Sequence, residues 1–141
     1  MTTLVKVFIC FIISQSALYA QDLTGQTITV KISRLNSNLG KVYVALYNDE
    51  STFLDQIYEA IFATIKDNFC EVEFKNIPNG IYAISFFHDE NNNQKMDSNF
   101  LGIPKEDYGC SNNARGFMGP PKWEDAKFEL NNKSITQSIT L

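Results

Sequence analysis

Residues 69–87 read Phe69-Cys70-Glu71-Val72-Glu73-Phe74-Lys75, then Asn76-Ile77-Pro78-Asn79-Gly80, then Ile81-Tyr82-Ala83-Ile84-Ser85-Phe86-Phe87. The first seven alternate. Cys70, Val72 and Phe74 share one side of an extended chain, and Glu71 and Glu73 share the other. A period of two is the mark of a strand with one face in a core and one in water. The middle five make a tight turn, because Pro78 presets one dihedral and Asn79-Gly80 accepts positive φ. The last seven are almost continuously apolar, which predicts a strand covered on both faces.

The same period extends outward in both directions. Thr27–Ser33 places Ile28, Val30 and Ile32 on one face. Gly40–Tyr47 places Val42, Val44 and Leu46 on one face and Tyr43, Ala45 and Tyr47 on the other, which predicts a central strand. Glu59–Lys66 is strand-like. Towards the end of the chain, Ala126, Phe128 and Leu130 alternate, Asn131-Asn132 turns, and Ile135, Ile139 and Leu141 complete another strand. Between 49 and 58, Phe53, Leu54, Ile57 and Tyr58 fall at mixed spacing, as in one helical turn; they read as core or as an exposed partner patch. Pro121–Asp125 suits a second short helical turn with proline at its start. About seven short strands with no helical crossovers predict one all-β domain, a single antiparallel β-sandwich. Its buried set is expected to include Val30, Val44, Leu46, Val72, Phe74, Ile84, Phe86, Phe128 and Ile139.

From His88 to Lys122 the alternation stops, and Asn, Gly and Pro dominate. A loop that long in a compact domain is usually functional or held by something. Its first part, Asp89-Glu90-Asn91-Asn92-Asn93-Gln94-Lys95-Met96-Asp97, has the spacing of a cation loop. Asp89, Asn91, Asn93 and Asp97 are its positions one, three, five and nine, and Lys95 at seven offers its carbonyl. Calcium is a hard ion that takes oxygen ligands from alternate residues of a tightly curled loop. Gln94 replaces the glycine of an EF-hand, and Phe100 replaces its bidentate glutamate. Further oxygens must therefore come from water or from Glu106 and Asp107, the nearest carboxylates. Against this stands a plain solvated turn, which Asn and Asp also favour unaided. His88 is the one histidine; it reads either as a structural group holding the loop or as a ligand or general base. Tyr108, Phe117 and Trp123 could stack on a sugar or anchor the loop.

Composition narrows the classes. Hydrophobic residues make up 44% of the chain and aromatic residues 13%, which suits a packed core and excludes wholesale disorder. Sixteen acidic against twelve basic residues give a net charge of −4, which argues against a nucleic-acid partner. Residues 1–20 carry Lys6, the apolar run Val7–Ile13 and a close on Ala17-Leu18-Tyr19-Ala20. That is a secretory signal layout, with residues 21–141 as the domain left after cleavage, in the periplasm or secreted. The apolar run is about half of the ~20 residues of a spanning helix, and no transmembrane segment is expected after cleavage. Cys70 and Cys110 would then meet oxidising conditions; each reads as a buried thiol or as half of a disulfide worth roughly 3–4 kcal/mol.

The blocks G-I-Y-A-I-S-F-F-H-D-E-N-N-N-Q-K-M-D, L-G-I-P-K-E-D-Y-G, S-N-N-A and G-P-P-K-W-E-D-A-K-F, in this order, resemble the DUF2141 family of small exported bacterial domains. The resemblance covers essentially the whole chain after residue 20. It implies a prealbumin-like (transthyretin-like) sandwich in a bacterial envelope, and it brings no catalytic residues. Gln94 stands where the family usually has glycine, and Cys110 where it usually has an aromatic. Two functional classes follow. One is a non-enzymatic module whose calcium-braced loop serves binding to an envelope protein or glycan. The other is a metal-assisted hydrolase using His88, Asp89 and Glu106. No activated serine or cysteine nucleophile at recognisable spacing supports the second.

Overall fold

A computed structural model describes residues 25–141; the export-signal reading of residues 1–20 lies outside the described residues. Eight strands are present: β1 (Gln26–Ser33), β2 (Lys41–Tyr47), β3 (Glu59–Ala63), β4 (Phe69–Ile77), β5 (Gly80–Asp89), β6 (Tyr108–Cys110), β7 (Phe128–Leu130) and β8 (Ile135–Thr140). They form two sheets, β4-β1-β8 and β3-β2-β5-β6, with β7 paired to the start of β5. The inward residues of both sheets make one apolar cluster. Ile28, Val30, Val72, Phe74 and Ile139 come from one sheet, and Val42, Val44, Leu46, Ile84 and Phe86 from the other. Each such side chain contributes about 1.5–3 kcal/mol by leaving water. This is the all-β sandwich that the alternation predicts. Eight of the nine expected core residues are buried; Phe128 is only half-buried, packed at the margin of the cluster.

Three local expectations are corrected. The sandwich is not wholly antiparallel: β1 pairs with β4 antiparallel but with β8 parallel, in register Ile28↔Ile135 to Ser33↔Thr140. Alternation fixes which face of a strand is apolar and is blind to the direction of its neighbour. Ala126 lies not in a strand but in the short helix α1 (Trp123–Ala126), so β7 has only three residues. The stretch 88–122 is not wholly irregular. It contains β6, paired Ser85↔Cys110 and Phe87↔Tyr108, followed by a 3-10 turn at Ser111–Asn113. A three-residue strand with glycine at its centre has no period to read. That glycine is required, because a Cβ on Gly109 would stand 2.7 Å from the Phe86 ring.

The outer face of the larger sheet carries a second apolar cluster of Tyr47, Ala83, Cys110, Trp123 and Ala126. Phe53 packs there with ring centroids 5.3 Å from Tyr47 and 5.5 Å from Trp123. The segments around Phe53 and α1 thus cover part of the sheet from outside, over Ala45 and Tyr47 of β2 and Ala83 of β5, while Tyr43 and Phe87 on the same face stack on each other beside Phe62. Of the four residues read as core or patch, Phe53 belongs to this cluster, while Leu54, Ile57 and Tyr58 are exposed. Cys70 lies in the inner cluster and Cys110 in the outer one; both are free thiols, with no disulfide between them. Burial pushes each thiol up to about 11.

Candidate metal centre

Strand β5 delivers two polar residues, His88 and Asp89, into full burial. The main chain before β2 closes over them. Gly40 has φ +69°, and a Cβ there would stand 1.8 Å from the Asp89 carbonyl oxygen. The His88 amide donates to the Asp107 carbonyl at 2.8 Å. Its ring Nε2 donates to the Leu39 carbonyl at 2.7 Å. Nδ1 has no hydrogen bond and lies 3.9 Å from Glu90 Oε1. Ser37 Oγ donates to Glu90 Oε1 at 2.6 Å, and Asn36 Nδ2 donates to Asp107 Oδ2 at 2.6 Å. The loop from 88 to 107 is therefore fastened to residues 36–40 at several points. Sequence reasoning missed this support; the only cue was a run of turn residues, Asn36-Ser37-Asn38, ahead of Gly40.

The loop then curls on its own side chains. Asp89 accepts from the Asn93 amide with Oδ1 (3.1 Å) and from the Gln94 amide with Oδ2 (2.8 Å). Asn91 Oδ1 accepts from the Asn93 amide at 3.0 Å, and Asn93 Oδ1 accepts from the Lys95 amide at 2.9 Å. Both asparagines turn their Nδ2 groups on Asp97: Asn91 at 2.6 Å, Asn93 at 2.9 and 3.0 Å to the two oxygens. The Asp97 amide donates to Glu106 Oε2 at 3.1 Å, and the Lys105 amide donates to the Asp97 carbonyl at 2.8 Å. The other Glu106 oxygen, Oε1, is buried without a hydrogen-bond partner. Hydrogen bonds thus link Asp89, Asn91, Asn93, Asp97 and Glu106 along one curl, with the asparagines between the carboxylates. Lys95 is exposed, and its amide closes the curl. Asp107 faces away, towards Asn36.

Two backbone positions inside the curl, Asn92 (φ 58°) and Gln94 (φ 63°), are left-handed. Asparagine adopts that region readily, whereas glutamine does so at a cost. The position where a glycine is expected is therefore one that glycine would suit.

The electrostatics of this group are one-sided. Among the described residues, the lysine–carboxylate pairs are Lys31–Glu71, Lys75–Glu73 and Lys127–Glu124, so no lysine or arginine neutralises Asp89, Asp97 or Glu106. No three His, Cys, Asp or Glu side chains among the described residues cluster as a metal site by themselves. Any cation here must also draw on the asparagine oxygens. His88 does not join the group. Adjacent strand residues leave on opposite faces, and its ring is tied to Leu39 while Asp89 reaches into the curl. Of the aromatic residues read as sugar contacts, Trp123 is buried against Phe53, Tyr108 is half-exposed and Phe117 is almost fully exposed.

No helix among the described residues is long and apolar enough to cross a membrane. No curated protein and no solved structure matches the chain. A family model does: residues 30–138, from the middle of β1 to the middle of β8, match the family described as uncharacterized protein conserved in bacteria (DUF2141), and the chain belongs to that family.

Proposed function

We propose that this protein is an exported, non-catalytic β-sandwich module whose 89–106 loop is braced by a calcium ion and serves binding in the cell envelope. The observation that carries the reading is one curl in which Asp89, Asp97 and Glu106 are linked through Asn91, Asn93 and the Asp97 amide, with no ion pair to any of the three carboxylates among the described residues and with one buried oxygen of Glu106 unsatisfied. Buried carboxylates are normally paired or bound to a metal. Calcium suits an all-oxygen donor set. The amides of Asn91 and Asn93 now supply the positive hydrogens that face Asp97. A cation takes over that role once those amides turn their oxygens inward. Glu106, nine residues beyond Asp97, stands in for the glutamate that position twelve lacks. The partner is an envelope protein or a glycan, reached through the loop surface that the ion holds in place. Export is supported by the layout of residues 1–20.

The test is the melting temperature of the purified native protein with calcium and with chelator. Binding should stabilise the fold by about 2.7 kcal/mol at a hundredfold excess over Kd. Asp89→Ala and Asp97→Ala should each remove most of that gain, and Glu106→Gln should weaken it. Asn92→Ala should leave it intact, because no hydrogen bond within the curl uses the Asn92 side chain. Equal melting temperatures with no calcium bound in a direct assay would end the calcium reading. N-terminal sequencing of the same protein tests export, with Gln21 expected first.

A further inference from the structure

A cavity of about 820 Å³ opens on the outer face of the larger sheet. Its floor includes Tyr47 from β2, Ser85 from β5 and Cys110 from β6; its mouth includes Leu101, Ile103 and Met118. The volume lies in the range of roughly 300–1,000 Å³ that small-molecule sites occupy. None of the described residues lining it is charged. The contrast with the adjoining cavity is sharp, since that one holds Arg34, Lys105, Glu106, Asp107 and Arg115. An uncharged wall offers no compensation to a buried ion and disfavours it strongly. At the mouth, Met118 is 94% exposed, Leu101 69% and Ile103 56%, so apolar side chains that face the cavity stand in water. A ligand of matching character would withdraw them from it.

One polar handle sits on the floor. Ser85 Oγ donates to the Tyr47 hydroxyl oxygen at 3.3 Å, and the Tyr47 O–H has no acceptor among the described residues. Tyr47 is otherwise buried, packed against Phe53. A pocket with apolar walls and one free hydroxyl donor selects an apolar molecule that carries a hydrogen-bond acceptor such as a ketone, ester or ether.

The geometry points to a binding site for a small, uncharged, mainly apolar molecule, seated on the outer face of the larger sheet with an acceptor oxygen on Tyr47. The site goes beyond the calcium reading and shares with it only lining residues of the 89–106 loop, Leu101 and Ile103 among them. None of the five side chains of the curl that are read as ion ligands lines it, and its floor is built by β2, β5 and β6.

The experiment titrates the purified native protein with prodan, a neutral naphthalene ketone whose emission responds to polarity and to hydrogen bonding at its carbonyl. Anilinonaphthalene sulfonate, of similar size but anionic, is the comparison. Prodan should bind saturably, one per chain, and at least about tenfold more tightly than the sulfonate. Met118→Asp places a charge at the exposed mouth, at a left-handed position (φ 55°) that aspartate tolerates, so the fold is kept. It should weaken prodan about tenfold. Tyr47→Phe keeps the ring and removes the donor; it should weaken prodan several-fold and shift the bound emission to the blue. Ile81→Ser, on an exposed side chain outside the cavity, should change neither. Melting temperatures of the variants confirm folding. Wild-type prodan binding by both Met118→Asp and Tyr47→Phe, or equal affinity for the sulfonate, would overturn the site.

Discussion

The sandwich and the loop that follows β5 are ordered by different forces. In the sandwich, main-chain ladders satisfy the polar backbone, and side chains such as Ile28, Phe74 and Ile84 are fully buried in one apolar cluster. In the loop, most of residues 89–107 have no ladder. Their amides are met instead by Asp89, Asn91, Asn93, Asn99 and Glu106 side chains. Apolar burial is indifferent to ions, whereas a framework of carboxylates depends on what neutralises it. One chain therefore holds a region ordered by apolar burial and a region ordered by its own polar side chains.

The comparison can be broken most forcefully in the core. Phe74→Ala should cost about 3–5 kcal/mol in denaturant unfolding, equally with calcium and with chelator. A calcium-dependent cost would mean that the two regions are not separate. Gly40 is the joint between them. Gly40→Ala meets both a left-handed φ and the Asp89 main chain, so it should cost at least about 2 kcal/mol and also diminish any gain from calcium. Unchanged calcium response in that variant would show that the loop does not need the main-chain packing at residue 40.

The thiols give a gentler probe of the sandwich alone. Burial holds Cys70 and Cys110 protonated up to about 11, whereas in the unfolded chain they ionise near the ordinary value of about 8.5. A group whose folded pKa is raised adds stability that is complete below the unfolded pKa and is lost as pH climbs to the folded one. The unfolding midpoint should therefore fall between about pH 8.5 and 11, and fall less steeply in the Cys70→Ala, Cys110→Ala double variant. Both thiols should resist alkylation in the folded protein at pH 8 and react after unfolding. The smallest effect belongs to the loop: Gln94→Gly relieves a left-handed glutamine and should stabilise by about 0.5–1 kcal/mol once the extra chain freedom of glycine is subtracted. Destabilisation would show that the glutamine side chain holds the curl.

What could be read in advance follows the same division. Strand faces are written locally, because each residue's neighbours two positions away report its side; β1, β2, β4 and β5 are legible for that reason. Partner choice is not local. Nothing in Ile135–Thr140 announces a parallel pairing with β1, and nothing in Tyr108-Gly109-Cys110 announces a strand. In the loop, the spacing of Asp89, Asn91, Asn93 and Asp97 is visible as a pattern. Glu106 could be named only as a nearby carboxylate, and its approach to the Asp97 amide needs the whole curl to be folded. The double-sided cover of the larger sheet was legible as apolar second faces of β2 and β5. That Trp123 and Phe53 supply part of the cover was not, since their spacing carries no period.

The parallel pairing of β1 with β8 has a consequence for the order of events in folding. Thr27 and Ser134, hydrogen-bonded at 2.9 Å, are 107 residues apart along the chain. The smaller sheet has β1 at its centre, so a chain emerging from its N-terminal side can form β1 against β4 long before β8 exists. Until then one edge of β1 is open, with unpaired amides and carbonyls that another chain could occupy. Contacts of such long range close slowly, because loop entropy must be spent before the ladder rewards it. The interval before β8 docks is thus the period of greatest exposure to mispairing. A chain shortened within Ile135–Thr140 would stay in that interval permanently.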